Sequence, residues 1–151
     1  MVNNDTSQVG TFLGLVVKKG SYTLSADIVP QASLLQSLCV YGDAQNQVGI
    51  GIRPGEIELW QIKAGTRQVL KTQLLPVGTP SVTLQVRSQK GQFYEFGWRT
   101  ETGDYQPIAD EPLNGSFLPR WDRAPRFGIG LNGKGQGRSR VRALTIHYDE
   151  S

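Results

Sequence analysis

Cysteine, histidine and methionine each occur once in the 151 residues. The lone Cys39 cannot close an internal disulfide, and with His147 as the only imidazole the two cannot assemble a zinc site between them. A Cys–His dyad is formally available, but nothing in "LLQSLCVYG" would activate the thiol, so Cys39 is read as a small buried apolar residue. Charge is sparse as well. Only 19% of residues are charged, the net charge is +3, and acidic and basic residues interleave except near the C-terminus, so nucleic acid is not the expected partner. No apolar run reaches the length of a membrane span. The start "MVNNDTSQVG" has no basic region followed by an apolar stretch and is not a secretory signal. Residues 1–10 are expected to be disordered, or an added start on a domain cut from a longer chain, ahead of a single domain over residues 11–149. Helical periodicity, internal repeats and linkers are also missing.

What is present is alternation. Eighteen glycines and eight prolines punctuate segments in which apolar residues recur at every second position, the pattern of antiparallel strands in an all-β sandwich or barrel. Tyr22, Leu24, Ala26 and Ile28 share one face of a strand, and so do Val48, Ile50 and Ile52. Ile57 and Leu59 form another row, followed by Val82, Leu84 and Val86, by Tyr94, Phe96 and Trp98, and by Leu144, Ile146 and Tyr148 with Arg142 at its start. Turns are expected at "RPGE", with Pro54 and Gly55, at "QKGQ", and at "TETGD", where Gly103 would take an unusual φ. Asp43 and Asn46 in "YGDAQNQ" read as a hairpin turn; a calcium site there would need more oxygen ligands than the segment supplies, even with Asp149 and Glu150. The Gly-rich basic stretch Asn132 to Arg140 reads as a solvated hairpin tip, because no helix follows to make it a phosphate cradle.

The faces opposite the core rows carry the candidate chemistry. Gly49 and Gly51 would point outward beside Arg53, leaving bare backbone that something could approach closely. By the same parity Glu56, Glu58 and Trp60 share an outer face, as do Thr83, Gln85 and Arg87 on one further strand and Phe93, Glu95 and Arg99 on another. An exposed tryptophan among carboxylates and guanidinium groups suits a sugar, with the ring stacking on C–H groups and the polar groups meeting hydroxyls. The candidate carbohydrate-binding residues are therefore Trp60, Glu58, Glu56, Arg53, Arg87, Glu95 and Arg99. The competing reading has Trp60 covering a sheet or packing under a loop, since parity does not say which strands are neighbours. Trp121, in the Pro-flanked "LPRWDRAPRFG", is a secondary candidate, either a ligand platform or a lid on one end of the sandwich.

In order along the chain, "FLGLVVKKGSYTLSADI", "SLCVYGDAQNQVGIGI", "GQFYEFGWRTETGDYQPI" and "RFGIGLNG" resemble the concanavalin A-like sandwich at the C-terminus of glycoside hydrolase family 43 β-xylosidases and in related secreted bacterial proteins. The chain departs from that pattern at Ser37-Leu38-Cys39, at Tyr105 near the usual tryptophan, and in "RALTIHY", which lacks the aspartate common there and so weakens any carry-over of calcium. The resemblance implies an antiparallel two-sheet jelly roll of the lectin/glucanase type. It implies a non-catalytic accessory or carbohydrate-binding module, partnered by a polysaccharide or oligosaccharide or by a neighbouring catalytic domain, outside the cell or in the periplasm. No cofactor and no metal are implied. A structural interdomain role is the alternative, and a stand-alone hydrolase a third. Sandwich glucanases use a Glu-x-Asp-x-x-Glu strand that sets two carboxyl groups about 5 Å apart. Here "EIELWQ" offers Glu56 and Glu58 but Gln61 in the third place, so no complete catalytic set is present.

Overall fold

The computed structural model describes the backbone of residues 2–3, 11–16, 21–30, 34–53, 55–76, 78–90, 92–118, 126–133, 137–138 and 140–148. Side chains are described over the portions from 21 to 118, Leu34 excepted, and at Ile146. Trp121, Pro54, Asp149 and Glu150 lie outside the described residues, as do the side chains of Arg142, Leu144, His147 and Tyr148.

Among the described residues fourteen strands run in chain order: β1 (Val2–Asn3), β2 (Thr11–Val16), β3 (Tyr22–Val29), β4 (Leu34–Asp43), β5 (Asn46–Arg53), β6 (Glu56–Lys63) and β7 (Thr66–Leu74) come first. They are followed by β8 (Val82–Gln89), β9 (Phe93–Thr100), β10 (Gln106–Pro107), β11 (Leu113–Asn114), β12 (Arg126–Gly133), β13 (Gly137–Arg138) and β14 (Arg140–Tyr148). One sheet has the order β2-β12-β4-β5-β6-β7, and the other the order β10-β9-β8-β3-β14 with β11 also on β9. Among the described residues all pairings are antiparallel, and the chain crosses between the two sheets at β2–β3, β3–β4, β7–β8, β11–β12 and between β12 and β14, so the architecture is the two-sheet sandwich expected. Val2–Asn3, within the segment expected to be disordered, pairs with Gly137–Arg138.

The inward rows are those that alternation selects. Tyr22, Leu24, Ala26, Ile28, Val48, Ile50, Ile52, Ile57, Leu59, Val82, Leu84, Val86, Tyr94, Phe96 and Trp98 all belong to one buried cluster between the sheets, with Ile146 packed against it. Burying each large apolar side chain contributes about 1.5–3 kcal/mol, which is what fixes register, since a slip of one residue would turn every row outward. Trp98 meets its polar requirement inside this core by donating from Nε1 to Gln73 Oε1 at 2.7 Å.

The turns follow local chemistry. Asp43 Oδ1 accepts from the Gln45 backbone N–H at 2.8 Å and from Asn46 Nδ2 at 3.0 Å, so the hairpin reading of that segment holds. Ala64 and Gly65 sit at φ of 50° and 81°, a two-residue loop of the kind that suits right-handed strand twist between β6 and β7. Gly55 has a φ of 87°, as a tight turn beside Pro54 requires, and the "QKGQ" turn closes through Gln92 N–H to Gln89 O at 3.1 Å. Gly103 differs from expectation. It is not among the positive-φ glycines; what it supplies is room, since a Cβ there would lie 2.7 Å from Thr100 Oγ1.

Candidate functional site

The sequence-derived candidates separate onto the two outer faces of the sandwich. On the β2–β7 sheet, β5 and β6 pair Gly49 with Trp60, Gly51 with Glu58 and Arg53 with Glu56, so these residues do share one outer face. That face is closed at its centre. Trp60 is 5% exposed and joins Leu35, Cys39 and Ile62 in a second buried apolar cluster. Its indole donates from Nε1 to Ser37 Oγ at 2.9 Å. The bare backbone expected over the two glycines is occupied: a Cβ on Gly49 would stand 2.7 Å from Trp60 Cζ2, and one on Gly51 would stand 2.6 Å from both Leu35 Cδ1 and Ser37 Oγ. The expectation of an exposed platform at Trp60 is therefore corrected, because neighbouring strands place side chains over the glycines and bury the ring against them.

Glu58, only 3% exposed, is likewise not an open sugar-binding carboxylate. Its Oε1 accepts from Arg67 Nη2, and Arg53 Nη2 stands 3.5 Å from the same oxygen. Two guanidinium groups thus share one buried carboxylate, and Arg67 also lies over the Trp60 ring at 5.6 Å. Arg53 and Glu56 remain at the accessible margin, with Arg53 exposed and Glu56 half-buried. Glu56 and Glu58 do not form an open pair of carboxylates, since Glu58 is buried against its two arginines. Cys39 is buried in the apolar cluster beside Trp60, as the packing reading has it.

The other sheet presents a different surface. Across β8 and β9, Arg87 pairs with Glu95, Gln85 with Gly97, and Thr83 with Arg99, so these side chains and Phe93 line the outer face of that sheet. Thr83 Oγ1 donates to Asp27 Oδ1 at 2.5 Å, tying β8 to β3. Gly97 makes room for an aromatic ring: a Cβ there would lie 2.3 Å from Tyr105 Cζ, so the hydroxyl end of the phenol sits directly over the strand. Tyr105 remains 39% exposed and Phe93 38%. Burial, and next the Glu95 carboxylate, push the Tyr105 hydroxyl above its ordinary pKa of 10.0, while Arg87 pulls the other way. Phe93, Glu95, Tyr105 over Gly97, and Arg99 therefore follow one another along β9, with Arg87 beside Glu95. At about 3.3 Å per residue, the distance from Phe93 to Gly97 is roughly 13 Å. Tyr105 was not among the candidates read from the sequence; the available signal was Gly97, a glycine at an outward position of a strand.

Behind Tyr105 lies a cleft of about 400 Å³, walled by Leu59, Phe96 and Leu113 and crossed by the segment from Tyr105 to Leu113. Glu95, Asp110 and Glu111 line it, and among the described residues no basic one does. Among the described residues no three His, Cys, Asp or Glu side chains converge to hold a metal ion, and no helix is long and apolar enough to cross a membrane.

No protein-family model matches the chain, and no curated protein matches it in sequence. Its fold does match solved structures. The glycoside hydrolase family 43 protein BlXynB from Bacillus licheniformis superposes with a TM-score of 0.76 at 14% identity, covering 92% of this chain and 30% of that one. A xylan β-1,4-xylosidase from Bacillus halodurans gives 0.75 at 12% identity, covering 90% of this chain and 29% of that one. Carbohydrate binding module CBM66 from Bacillus subtilis gives 0.59 at 12% identity, covering 85% of this chain and 75% of that one. The chain thus spans less than a third of the length of the two Bacillus enzyme-sized chains, BlXynB and the xylan β-1,4-xylosidase. Its architecture is a concanavalin A-like β-sandwich, similar to the C-terminal domain of glycoside hydrolase family 43 enzymes.

Proposed function

We propose that the chain is a non-catalytic, carbohydrate-associated accessory module that contacts saccharide through the outer face of the sheet containing β8 and β9. The observation that carries this reading is the line of Phe93, Glu95, Tyr105 and Arg99 along β9, with Arg87 beside it. Two half-exposed aromatic rings about four residues apart offer stacking faces for C–H groups, and the carboxylate and guanidinium groups between them match hydroxyls. The family 43 and CBM66 folds support the association with carbohydrate. In this role the module works outside the cell or in the periplasm, either alone on a polysaccharide or joined to a catalytic domain. A shallow face of this kind binds in the millimolar to micromolar range, about −4 to −8 kcal/mol.

A module serving only as an interdomain support would expose one unusually large apolar patch when isolated. The exposed large apolar side chains among the described residues are instead divided, with Val69 and Leu74 on β7 and with Phe93 and Tyr105 on the β9 face. Affinity electrophoresis of the 151-residue chain through xylan, arabinan, cellulose derivatives and β-glucan tests the proposal. Retardation by at least one neutral polymer is expected, lost in Phe93→Ala and Arg99→Ala with the melting curve unchanged. A folded chain that is retarded by none of them refutes it.

A further inference from the structure

We infer that the cleft behind Tyr105 is a binding subsite for an uncharged mono- or disaccharide unit, selected by charge against uronic acids. This inference rests on the carbohydrate reading above and adds a second, enclosed site to its open face. The cleft's volume of about 400 Å³ is within the ~300–1,000 Å³ range of small-molecule sites. Its depth is apolar. Leu59 and Phe96 are buried in the core, and Leu113 and the Tyr105 ring close the sides. A sugar's C–H face fits such walls, and its hydroxyls then point toward the mouth.

At the mouth the polar groups are nearly all acceptors. Glu95, Asp110 and Glu111 contribute three carboxylates, and the Tyr105 hydroxyl, held protonated by its surroundings, adds one donor. Sugar hydroxyls can donate to every one of those carboxylates. A ligand carboxylate or sulfate can donate to none and is repelled by all. The nearby cations are Lys71, whose Nζ is 3.9 Å from an almost fully exposed Asp110 and so offsets little of this field, and Arg87, which faces Glu95 across β8 and β9 and leaves Asp110 and Glu111 as the main source of it. Tyr105 divides the two sites, since one side of it covers Gly97 on the open face and it also lines the cleft. A chain lying along β9 would therefore present a terminal or branch unit to the cleft.

Calorimetric titration of the full chain with xylotriose, arabinotriose and cellotriose, and with their glucuronate-bearing counterparts, tests the inference. At least one neutral trisaccharide should bind, and its uronate counterpart at least about fivefold more weakly, as screened like-charge repulsion across a few ångströms predicts. Asp110→Asn combined with Glu111→Gln should bring the uronate up to parity with the neutral sugar; Glu95 is left in place because it also serves the open face. Ala109→Phe, which fills the cleft, should weaken neutral binding about tenfold or more, equivalent to about 1.4 kcal/mol. Glu111→Trp at the exposed rim should do the same by covering the mouth, so the test stands even if Ala109→Phe does not fold. Binding untouched by both filling variants but lost in Phe93→Ala overturns the cleft and leaves the open face standing. Equal binding of uronate and neutral sugar by the unmodified chain overturns the charge selection. Absence of any saccharide binding overturns the carbohydrate reading and the cleft together.

Discussion

Replacing Gly49 by alanine places a methyl group 2.7 Å from Trp60 Cζ2, 2.9 Å from Cε2 and 3.1 Å from Cys39 Cβ. Contacts this short cannot persist, so either the indole or the strand must move. The indole is restrained beside the colliding atoms, where Nε1, bonded to Cε2, donates to Ser37 Oγ at 2.9 Å inside the protein. Retreat from the new methyl thus stretches that hydrogen bond. Overpacking of this kind costs about 1–3 kcal/mol, and losing a buried hydrogen bond adds about 1 kcal/mol, for a total near 2–4 kcal/mol. In a chain of this length the melting temperature should fall by roughly 5–15 °C. Trp60→Phe removes the atoms that collide, so the double variant should be less destabilised than the sum of the singles, with a coupling of about 1 kcal/mol or more. Urea denaturation of the four proteins measures every term. If Gly49→Ala costs under about 0.5 kcal/mol, or if the two substitutions are additive, then Trp60 does not pack on Gly49 as described.

Trp60→Ala should destabilise by about 3–5 kcal/mol, so a change in its sugar binding would report unfolding; a melting curve matching the parent's would contradict the burial of the ring. Glu58→Gln leaves Arg67 and Arg53 facing each other without a carboxylate, and should cost about 1–3 kcal/mol by denaturant melts, partly relieved in a Glu58→Gln, Arg67→Gln double variant. Because the Tyr105 hydroxyl ionises above its ordinary pKa of 10.0 in the folded chain, its contribution to stability is complete below about pH 10 and is lost as pH rises through the folded value. Ultraviolet titration should show one tyrosine moving to lower pH in Glu95→Gln and to higher pH in Arg87→Ala. Leu74→Lys should change stability by under about 0.5 kcal/mol, since Leu74 is 89% exposed on β7.

Alternation along single strands was enough to identify the interior. Tyr22 to Ile28, Val48 to Ile52 and Tyr94 to Trp98 point inward because a period of two and a buried face leave one register open to each strand. The same parity correctly grouped Glu56, Glu58 and Trp60, and separately Glu95 and Arg99, on outer faces. Parity is a property of one strand, however, and solvent exposure is a property of everything that surrounds it. Whether Trp60 is open depends on Ser37 and Cys39 of β4 and on Arg67 of β7, which are near it only after the sheet has formed. The placement of Arg53 and Glu95 on opposite sides of the sandwich follows from strand order, which no local segment encodes. The cleft depends on a strap, Tyr105 to Leu113, with only two residues at β10 and two at β11 in regular pairing, too few for any periodicity to register.

The strand pairings also set how the chain reaches this structure. β4, β5, β6 and β7 form a meander in which each strand pairs with the next, so loop closure there is short. The chain's two ends meet by contrast across nearly its whole length, as Leu24 of β3 pairs with Ile146 of β14, and Leu13 of β2 with Ile129 of β12. Closing such loops loses chain entropy before any contact compensates, and folding dominated by pairings of this kind takes milliseconds to seconds. The meander is the natural nucleus, and the terminal strands are its last additions. A ribosome releasing this chain would therefore hold an unfinished sandwich until β12 and β14 emerged, with the edges of β2, β4 and β3 waiting for partners made later.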